Sequence, residues 1–283
     1  MTDTIDPGRK LFFGLFVFPL LIAVGMAVLL CSVVLITHED ATPETLLVSL
    51  KKSPLGKRWQ KAFELSNEIN RAPEKSQNQA LAREMIQILQ DKERFDAKTR
   101  AYMALALARQ NSPEAVPALE NALTDPEEEV RVFAIWSLGL VGRRDAAPAV
   151  QALLKDDSPE IRKTASYVLG SLGSKSSCPA LRGLLQDAVA DVRWNAALAL
   201  SRLGNADGYD VLLSMLERRR LSGELSMGEP QIEAAMINAS KGLALLHRPE
   251  SVKILETVSK EDRNLKVRQA ALVALQHLER VSA

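Results

Sequence analysis

The segments RVFAIWSLG, at Arg131–Gly139, and RKTASYVLG, at Arg162–Gly170, both open with an arginine, and these arginines lie 31 residues apart. Similar segments continue at the same interval on either side, because RAYMALALA begins at Arg100 and RWNAALALS begins at Arg193. Each arginine is followed seven positions later by a leucine. Self-similarity at a fixed period of about 20–50 residues is typical of repeat architectures. The interval therefore predicts a chain built from stacked copies of one unit.

The spacing from arginine to leucine continues outside this regular block. Arg58 with Leu65 and Arg268 with Leu275 fit it, whereas a degenerate unit places Glu233 in the arginine position. The seven arginine positions are thus 58, 100, 131, 162, 193, 233 and 268. We therefore expect six or seven units.

Unequal intervals between the arginine positions indicate insertions, one near residues 70–78 and one at 218–230. We predict that the repeat domain covers residues 45–283, with regular units at 95–217 and degenerate units at both ends. The triplet Arg218-Arg219-Arg220 lies in the second insertion, where it is predicted to be a solvated helix end. Contact with lipid phosphates or an acidic partner is the alternative.

Each full unit has the pattern of two helices. In the second helix, Ser158-Pro159-Glu160 and Asp125-Pro126-Glu127 combine a capping side chain, a proline and an acid, which are signals of a helix start. Gly142, Gly173 and Gly204 recur at 31 residues and are predicted to end these helices. One helix pair cannot bury its apolar face alone, so the fold predicted is an all-α solenoid of stacked pairs.

Composition and motifs give no indication of catalysis. The net charge is +1, so nucleic acid is not an expected partner. Two cysteines, Cys31 and Cys178, are too few for a disulfide framework or a zinc site. The phosphate-binding, dinucleotide-binding and zinc-protease motifs are missing from the sequence, which contains three histidines. We predict no catalytic residue, no cofactor and no metal.

The chain resembles HEAT repeats, and most closely the short bacterial type called PBS-lyase-like HEAT repeats. The resemblance rests on the small residues and leucine after each arginine and on an aspartate six positions before it. The aspartate–arginine pairs are Asp125 with Arg131, Asp156 with Arg162 and Asp187 with Arg193. The resemblance implies that these columns form a structural ladder between successive units. It covers roughly residue 45 to the C-terminus and implies a bacterial protein.

The same resemblance raises two kinds of enzyme. Some HEAT-type enzymes bind iron through repeated His-Glu pairs, but this chain has a single such pair, His38-Glu39, in the predicted connector. The family name also implies bilin lyases, which act as complexes on phycobiliproteins. No residue pattern here specifies a bilin pocket, so an accessory or lyase-like subunit that acts on a protein-bound cofactor is the second hypothesis.

An uncharged apolar run, Leu11–Thr37, precedes the repeats. About 20 apolar residues span a bilayer core, so we predict a transmembrane helix at 11–37, after a tail at 1–10 and before a connector at 38–44. A cleaved signal peptide is the alternative, but its apolar region is usually about 7–15 residues long. Arg9 and Lys10 precede the run, which favours an extracytoplasmic solenoid on a single-pass cell-membrane anchor.

The second helices also carry apolar residues opposite their predicted core stripe. At about 100° per residue, the positions one and five after each arginine face away from the core, where polar residues are expected. The pairs there are Trp59/Phe63, Ala101/Leu105, Val132/Trp136, Lys163/Tyr167 and Trp194/Leu198. We predict a binding band along the concave face, since exposed aromatics mark binding sites. Burial of these side chains by neighbouring units is the alternative.

The function predicted from the sequence is therefore a non-catalytic, membrane-anchored scaffold. It would hold a protein partner, such as another membrane complex, on the concave face. A lyase-like subunit and a homodimer joined through the aromatic band are the alternatives.

Overall fold

The computed structural model describes residues 17–37, 42–223 and 227–282 of the chain. Within these ranges it contains sixteen α-helices and no strand, which confirms the all-α prediction. The helices are α1 Phe18–Thr37, α2 Pro43–Lys52, α3 Arg58–Arg71, α4 Gln79–Gln90, α5 Ala97–Leu107, α6 Ala115–Ala122, α7 Glu128–Val141, α8 Ala147–Ala152, α9 Pro159–Leu172, α10 Cys178–Gly183, α11 Ala190–Arg202, α12 Tyr209–Ser214, α13 Arg218–Gly223, α14 Glu229–Leu245, α15 Ser251–Glu261 and α16 Leu265–Ser282. The predicted tail and most of the predicted connector lie outside the described residues.

Helix α1 lies in the predicted anchor, of which residues 11–16 are outside the described ranges. It contains no charged residue, and its side chains are exposed from Leu20 to Leu30. In the described parts of the chain, however, no helix combines the length and the apolar character needed to cross a membrane. The structure therefore does not support the anchor, which stays a prediction from the sequence.

Seven helices lie side by side in one layer of the solenoid. These second helices are α3, α5, α7, α9, α11, α14 and α16, and each packs against the next in this order. Each contains one of the seven arginine positions. The first helices, α2, α4, α6, α8, α10, α12 and α15, pack against them from the other layer. Neighbouring helix pairs thus share their hydrophobic interior, which is the stacking predicted from the 31-residue interval.

The core lies between successive units, along one stripe of each second helix. In α7 this stripe is formed by Val130, Ala134 and Leu138, which are fully buried. The equivalent positions of α9 and α11 are also buried: Ile161, Ala165, Leu169, Leu172, Val192, Ala196, Leu200 and Leu203. Because each stripe faces helices before and after it, removing one such side chain would open a cavity shared by two units.

Glycines with positive φ terminate the regular second helices. Gly142 and Gly173 follow α7 and α9 with φ of 73° and 69°, a left-handed conformation that glycine adopts without a steric penalty. At the other end, Pro159 begins α9 and the Ser158 hydroxyl accepts a hydrogen bond from the Ile161 N–H, as the sequence predicted.

The start predicted at Asp125-Pro126-Glu127 is two residues early, since α7 begins at Glu128. The reason is that the Asp125 carboxylate accepts the Glu127 N–H, at 3.0 Å. This bond forms a turn before the helix. Asp156 and Asp187 form the same turn with the N–H groups of Ser158 and Val189.

Candidate partner-binding surface

Trp136 and Tyr167 form an aromatic pair on the neighbouring helices α7 and α9. Their ring centroids are 5.0 Å apart, with the ring planes tilted by 51°. The Arg202 guanidinium carbon lies 4.6 Å from the centre of the Tyr167 ring, a cation–π arrangement. Trp136 nevertheless remains 39% exposed, although tryptophan is on average highly buried in folded proteins. The pair therefore presents a large, rigid apolar surface to solvent beside a positive charge.

A second group of aromatic side chains continues this surface toward the N-terminal units. The Tyr102 ring on α5 contacts Phe63 on α3 and Phe133 on α7, edge to face, with centroid distances of 5.3 and 5.5 Å. Phe63 is 43% exposed, whereas Tyr102 and Phe133 are half-buried. We call the five residues together the aromatic strip: Phe63, Tyr102, Phe133, Trp136 and Tyr167. The strip crosses four consecutive second helices.

Two members of the strip are not among the positions chosen from the sequence. Tyr102 and Phe133 stand two positions after Arg100 and Arg131, not one or five. Their appearance at the same position of consecutive units is a signal that the sequence does contain. Rings are long enough to lean from the edge of the buried arc onto the neighbouring helix, so a strict angular criterion missed them.

The other predicted band residues are less exposed. Trp59 is half-buried, and Lys98 Nζ lies 3.6 Å from the centre of its ring. Half-buried positions are also found for Leu105, Val132 and Leu198. Val132 and Leu198 pack against the hydrophobic core. These aliphatic residues therefore serve mainly as a base beside the aromatic strip.

Trp194 differs from the prediction, because it is only 8% exposed and belongs to the core. The reason is the insertion after α12, where helix α13 adds side chains that the regular units do not have. Leu221 of α13 and Val211 of α12 line the same pocket as Trp194. Here the burial by neighbouring elements, which the sequence analysis held as the alternative, is what the structure shows.

The aspartates and arginines of the repeats form a row of ion pairs between successive units. Each arginine pairs with an aspartate 25 residues later, in the next unit. The pairs are Arg100 with Asp125, Arg131 with Asp156 at 3.5 Å, and Arg162 with Asp187 at 2.8 Å. We call each pair a rung of the ladder.

The Arg162 rung shows how the ladder joins two units. Its Nε and Nη2 donate to both carboxylate oxygens of Asp187, at 2.8 and 3.0 Å. Its Nη1 donates to the backbone carbonyls of Asp156 and Asp157 in its own unit, both at 2.9 Å. Asp187 in turn accepts the N–H of Val189. One guanidinium thus connects the turns before two consecutive second helices.

The electrostatics of the rungs agree with a structural role. Hydrogen bonds from Arg162 hold the pKa of Asp187 below its ordinary value, against the opposing effect of burial. At Asp125, burial raises the pKa, but hydrogen bonds from Arg100 and the Glu127 N–H outweigh it, and the net pKa is lowered. These carboxylates are therefore ionised near neutral pH and already paired, so they are poor proton acceptors for catalysis.

The insertion replaces one missing member of the ladder. Glu233 occupies the arginine position of α14, so it cannot pair with Asp262 of the last unit. Arg218 instead reaches Asp262 and donates to both its oxygens, at 2.9 and 2.7 Å. Arg218 is thus neither a solvated helix end nor a lipid contact. Asp262 stands six positions before Arg268, which is the sequence signal that marks it as a ladder residue.

Elsewhere in the described ranges, histidines and cysteine show no catalytic arrangement. His247 and His277 stack with ring centroids 5.1 Å apart, and the His247 Nδ1 lies 2.9 Å from the Ala244 carbonyl. Burial raises the pKa of the Cys178 thiol, which makes it a weaker nucleophile. No group of three or more potential metal-ligating side chains comes together among the residues described.

Comparisons with known proteins agree with this architecture. The model of the HEAT-repeat family matches residues 82–166 and 146–222. Among solved structures, the complex of CpcE and CpcF of phycocyanin lyase from Nostoc sp. PCC7120 is similar, with 21% identity, a TM-score of 0.57, and coverage of 87% of this chain and 94% of that chain. The E. coli protein YibA is similar at 16% identity, with a TM-score of 0.58 and coverage of 86% and 83%.

No curated relative matches the chain by sequence. At this level of identity the two structural neighbours establish the fold and not the activity. The family match covers the regular block from which the repeat was first recognised. The chain therefore carries HEAT repeats and folds as a HEAT-type α-solenoid.

Proposed function

We propose that this protein is a non-catalytic scaffold that binds a protein partner on the aromatic strip. The observation that carries the proposal is the exposure of Trp136 and Phe63 on a continuous row of aromatic side chains. Solvent-exposed aromatic clusters are characteristic of interaction sites, and tryptophan and tyrosine are over-represented among binding hot spots. The shape supports this function too, because stacked repeats offer an extended binding surface.

The charges beside the strip narrow the chemistry of the partner. Lys98 stands over Trp59 near one end, and Arg202 stands over Tyr167 near the other. A partner segment with apolar side chains at its centre and acidic residues toward its ends would match this arrangement. Charge pairs at the rim of an interface chiefly set orientation and association rate, whereas the buried aromatic contacts supply affinity.

We further propose that the scaffold acts at a membrane, with residues 11–37 as its anchor and the solenoid on the extracytoplasmic side. The support is the uncharged apolar sequence of that segment and the basic residues before it. Fractionation in carbonate and in detergent tests the anchor. Release of the full chain by carbonate alone would contradict it.

A lyase-like subunit is the second candidate. The support is the fold similarity to the CpcE–CpcF complex of phycocyanin lyase, together with the PBS-lyase-like pattern of the repeats. A self-assembling homodimer joined through the strip is the third. Size measurement in detergent separates the homodimer from the scaffold, and a cofactor covalently added to a captured partner only when this chain is present would favour the lyase.

The experiment that tests the scaffold is crosslinking and affinity capture from native membranes. The double change Trp136→Ala/Tyr167→Ala should abolish capture of the partner that the wild type retains. The matched control is Leu272→Ala on α16, since Leu272 is 42% exposed and lies outside the strip. Undiminished capture by a folded double variant, or equal loss with the control, would contradict the proposal.

A further inference from the structure

The ladder contains one guanidinium that lacks its carboxylate. Each of the rungs described above joins an arginine to an aspartate 25 residues later, but position 25 after Arg193 is Arg218. The next unit also has Met227, not an acid, at the place six before its arginine position. Arg218 itself is directed to Asp262. In the described parts of the chain, no carboxylate therefore completes the rung of Arg193.

Arg193 is nonetheless held in the same way as the other ladder arginines. Its Nη1 donates to the backbone carbonyls of Asp187 and Ala188, at 2.6 and 3.1 Å. The nearby Asp187 carboxylate is taken by both nitrogens of Arg162. The Arg193 guanidinium is thus oriented before any ligand arrives, and binding a carboxylate there costs little additional side-chain entropy.

The guanidinium lines a pocket of about 240 Å³ between α11, α12 and α13. This is several times the roughly 30 Å³ that one water molecule occupies in the liquid, so the space accommodates a short side chain. Trp194, Val211 and Leu221 contribute apolar wall, and Arg220 contributes a second guanidinium. Asp210 also lines the pocket, and its negative charge opposes a ligand that carries two negative charges.

We propose that this pocket binds a single side-chain carboxylate, glutamate or aspartate, of the protein partner. The partner's acid would take the place that Asp125, Asp156 and Asp187 occupy in the complete rungs. Arginine and carboxylate pair through two parallel hydrogen bonds, and the Arg162 rung shows this geometry within the same ladder. The inference rests on the proposed scaffold function and names the chemistry of one contact of the partner.

The test is a titration of the full chain in detergent with acetyl-Gly-Glu-Gly-amide, followed through the arginine Nε–Hε signals in NMR spectra. The Arg193 signal is assigned by its loss in Arg193→Gln, and the Arg162 signal serves as the internal control. We expect a saturable shift of the Arg193 signal with half-saturation at about 1–10 mM, as for a weak single contact. The glutamine tripeptide should produce no saturable shift.

Two variants sharpen the experiment. Arg193→Gln should weaken the binding of the glutamate tripeptide about tenfold or more, because a charge-assisted bond contributes about 1.5–3 kcal/mol and 1.4 kcal/mol is tenfold. Asp210→Asn should strengthen it about twofold to fivefold, because it removes a repulsive charge. If Arg193→Gln does not fold, Arg193→Lys provides the assignment, and the comparison of tripeptides with Asp210→Asn still decides.

Three results would overturn the inference: no shift at Arg193, an equal shift with the glutamine tripeptide, or tighter binding of a phosphoserine tripeptide. The last would assign the pocket to phosphate. The titration does not involve the aromatic strip, so its failure would leave the capture experiment with Trp136 and Tyr167 valid. Failure of capture with a positive titration would instead reject the strip and retain the pocket.

Discussion

Replacing Arg162 with glutamine should destabilise the solenoid far more than the same replacement at Arg193. The two arginines stand 31 residues apart at the same position of consecutive second helices. Both donate from Nη1 to two backbone carbonyls of their own unit. They differ in one respect, since only Arg162 also holds a carboxylate, that of Asp187.

The size of the difference follows from the bonds lost. Either change removes the backbone contacts of one guanidinium, which we place at about 1 kcal/mol because net hydrogen-bond contributions are about 0.5–1.5 kcal/mol. Arg162→Gln also leaves the Asp187 carboxylate, which is largely buried, with a single hydrogen bond from Val189. Stranding a fully buried charge costs about 3–5 kcal/mol, and partial exposure reduces this to about 2. We expect totals of about 3 kcal/mol for Arg162→Gln and about 1 kcal/mol for Arg193→Gln.

The assay is urea-induced unfolding of the full chain in detergent, followed by far-ultraviolet circular dichroism. The wild type and both variants are compared at neutral pH and at low pH. Because the folded-state pKa of Asp187 is lowered, its contribution to stability is complete above its unfolded pKa of about 3.9 and is lost as the pH falls through the folded value. The difference between the wild type and Arg162→Gln should therefore shrink as the pH is lowered below about 4.

Equal destabilisation by the two replacements at neutral pH would refute this reasoning, since it would mean that the carboxylate contributes nothing to the rung. A difference that grows in acid would contradict the direction of the pKa shift at Asp187.

Other substitutions probe the packing and the surface. Gly170→Ala should cost about 1–3 kcal/mol, since a Cβ there would lie 2.8 Å from the Ala199 Cα of the next second helix; Gly183→Ala, with no atom within 4 Å of its Cβ, should leave thermal unfolding unchanged or slightly raise it. Trp194→Ala should lower the free energy of unfolding by about 3–5 kcal/mol because the ring is buried. Trp136→Ala, at the exposed site, should lower it by about 1 kcal/mol, and a loss equal to that of Trp194→Ala would show that Trp136 is a core residue.

The fold is predictable from the sequence because the same local pattern is repeated. The 31-residue interval, the glycines at Gly142 and Gly173 and the apolar stripe all indicate stacked helix pairs, and tertiary packing agrees with them. Each unit is a separate record of the same structural requirement. Departures of single residues therefore do not obscure the pattern.

The candidate site is less predictable, since it depends on where the repeat breaks. The insertion places α13 beside Trp194 and sends Arg218 to Asp262, and no periodic rule specifies either contact. The strip is also wider than the angular criterion allows, because rings such as Tyr102 reach across to neighbouring helices. Positions within units follow from periodicity, whereas exposure depends on elements packed from outside the unit.

The central claim, that the aromatic strip is where a partner binds, is tested most directly by a photo-crosslinking amino acid placed at position 136 in living cells. An identical probe at position 272 reports on exposed apolar surface outside the strip. The account predicts one discrete crosslinked product from position 136, of a mass other than twice that of this chain, and none from position 272. The same products from both positions, or no product from position 136, would contradict it.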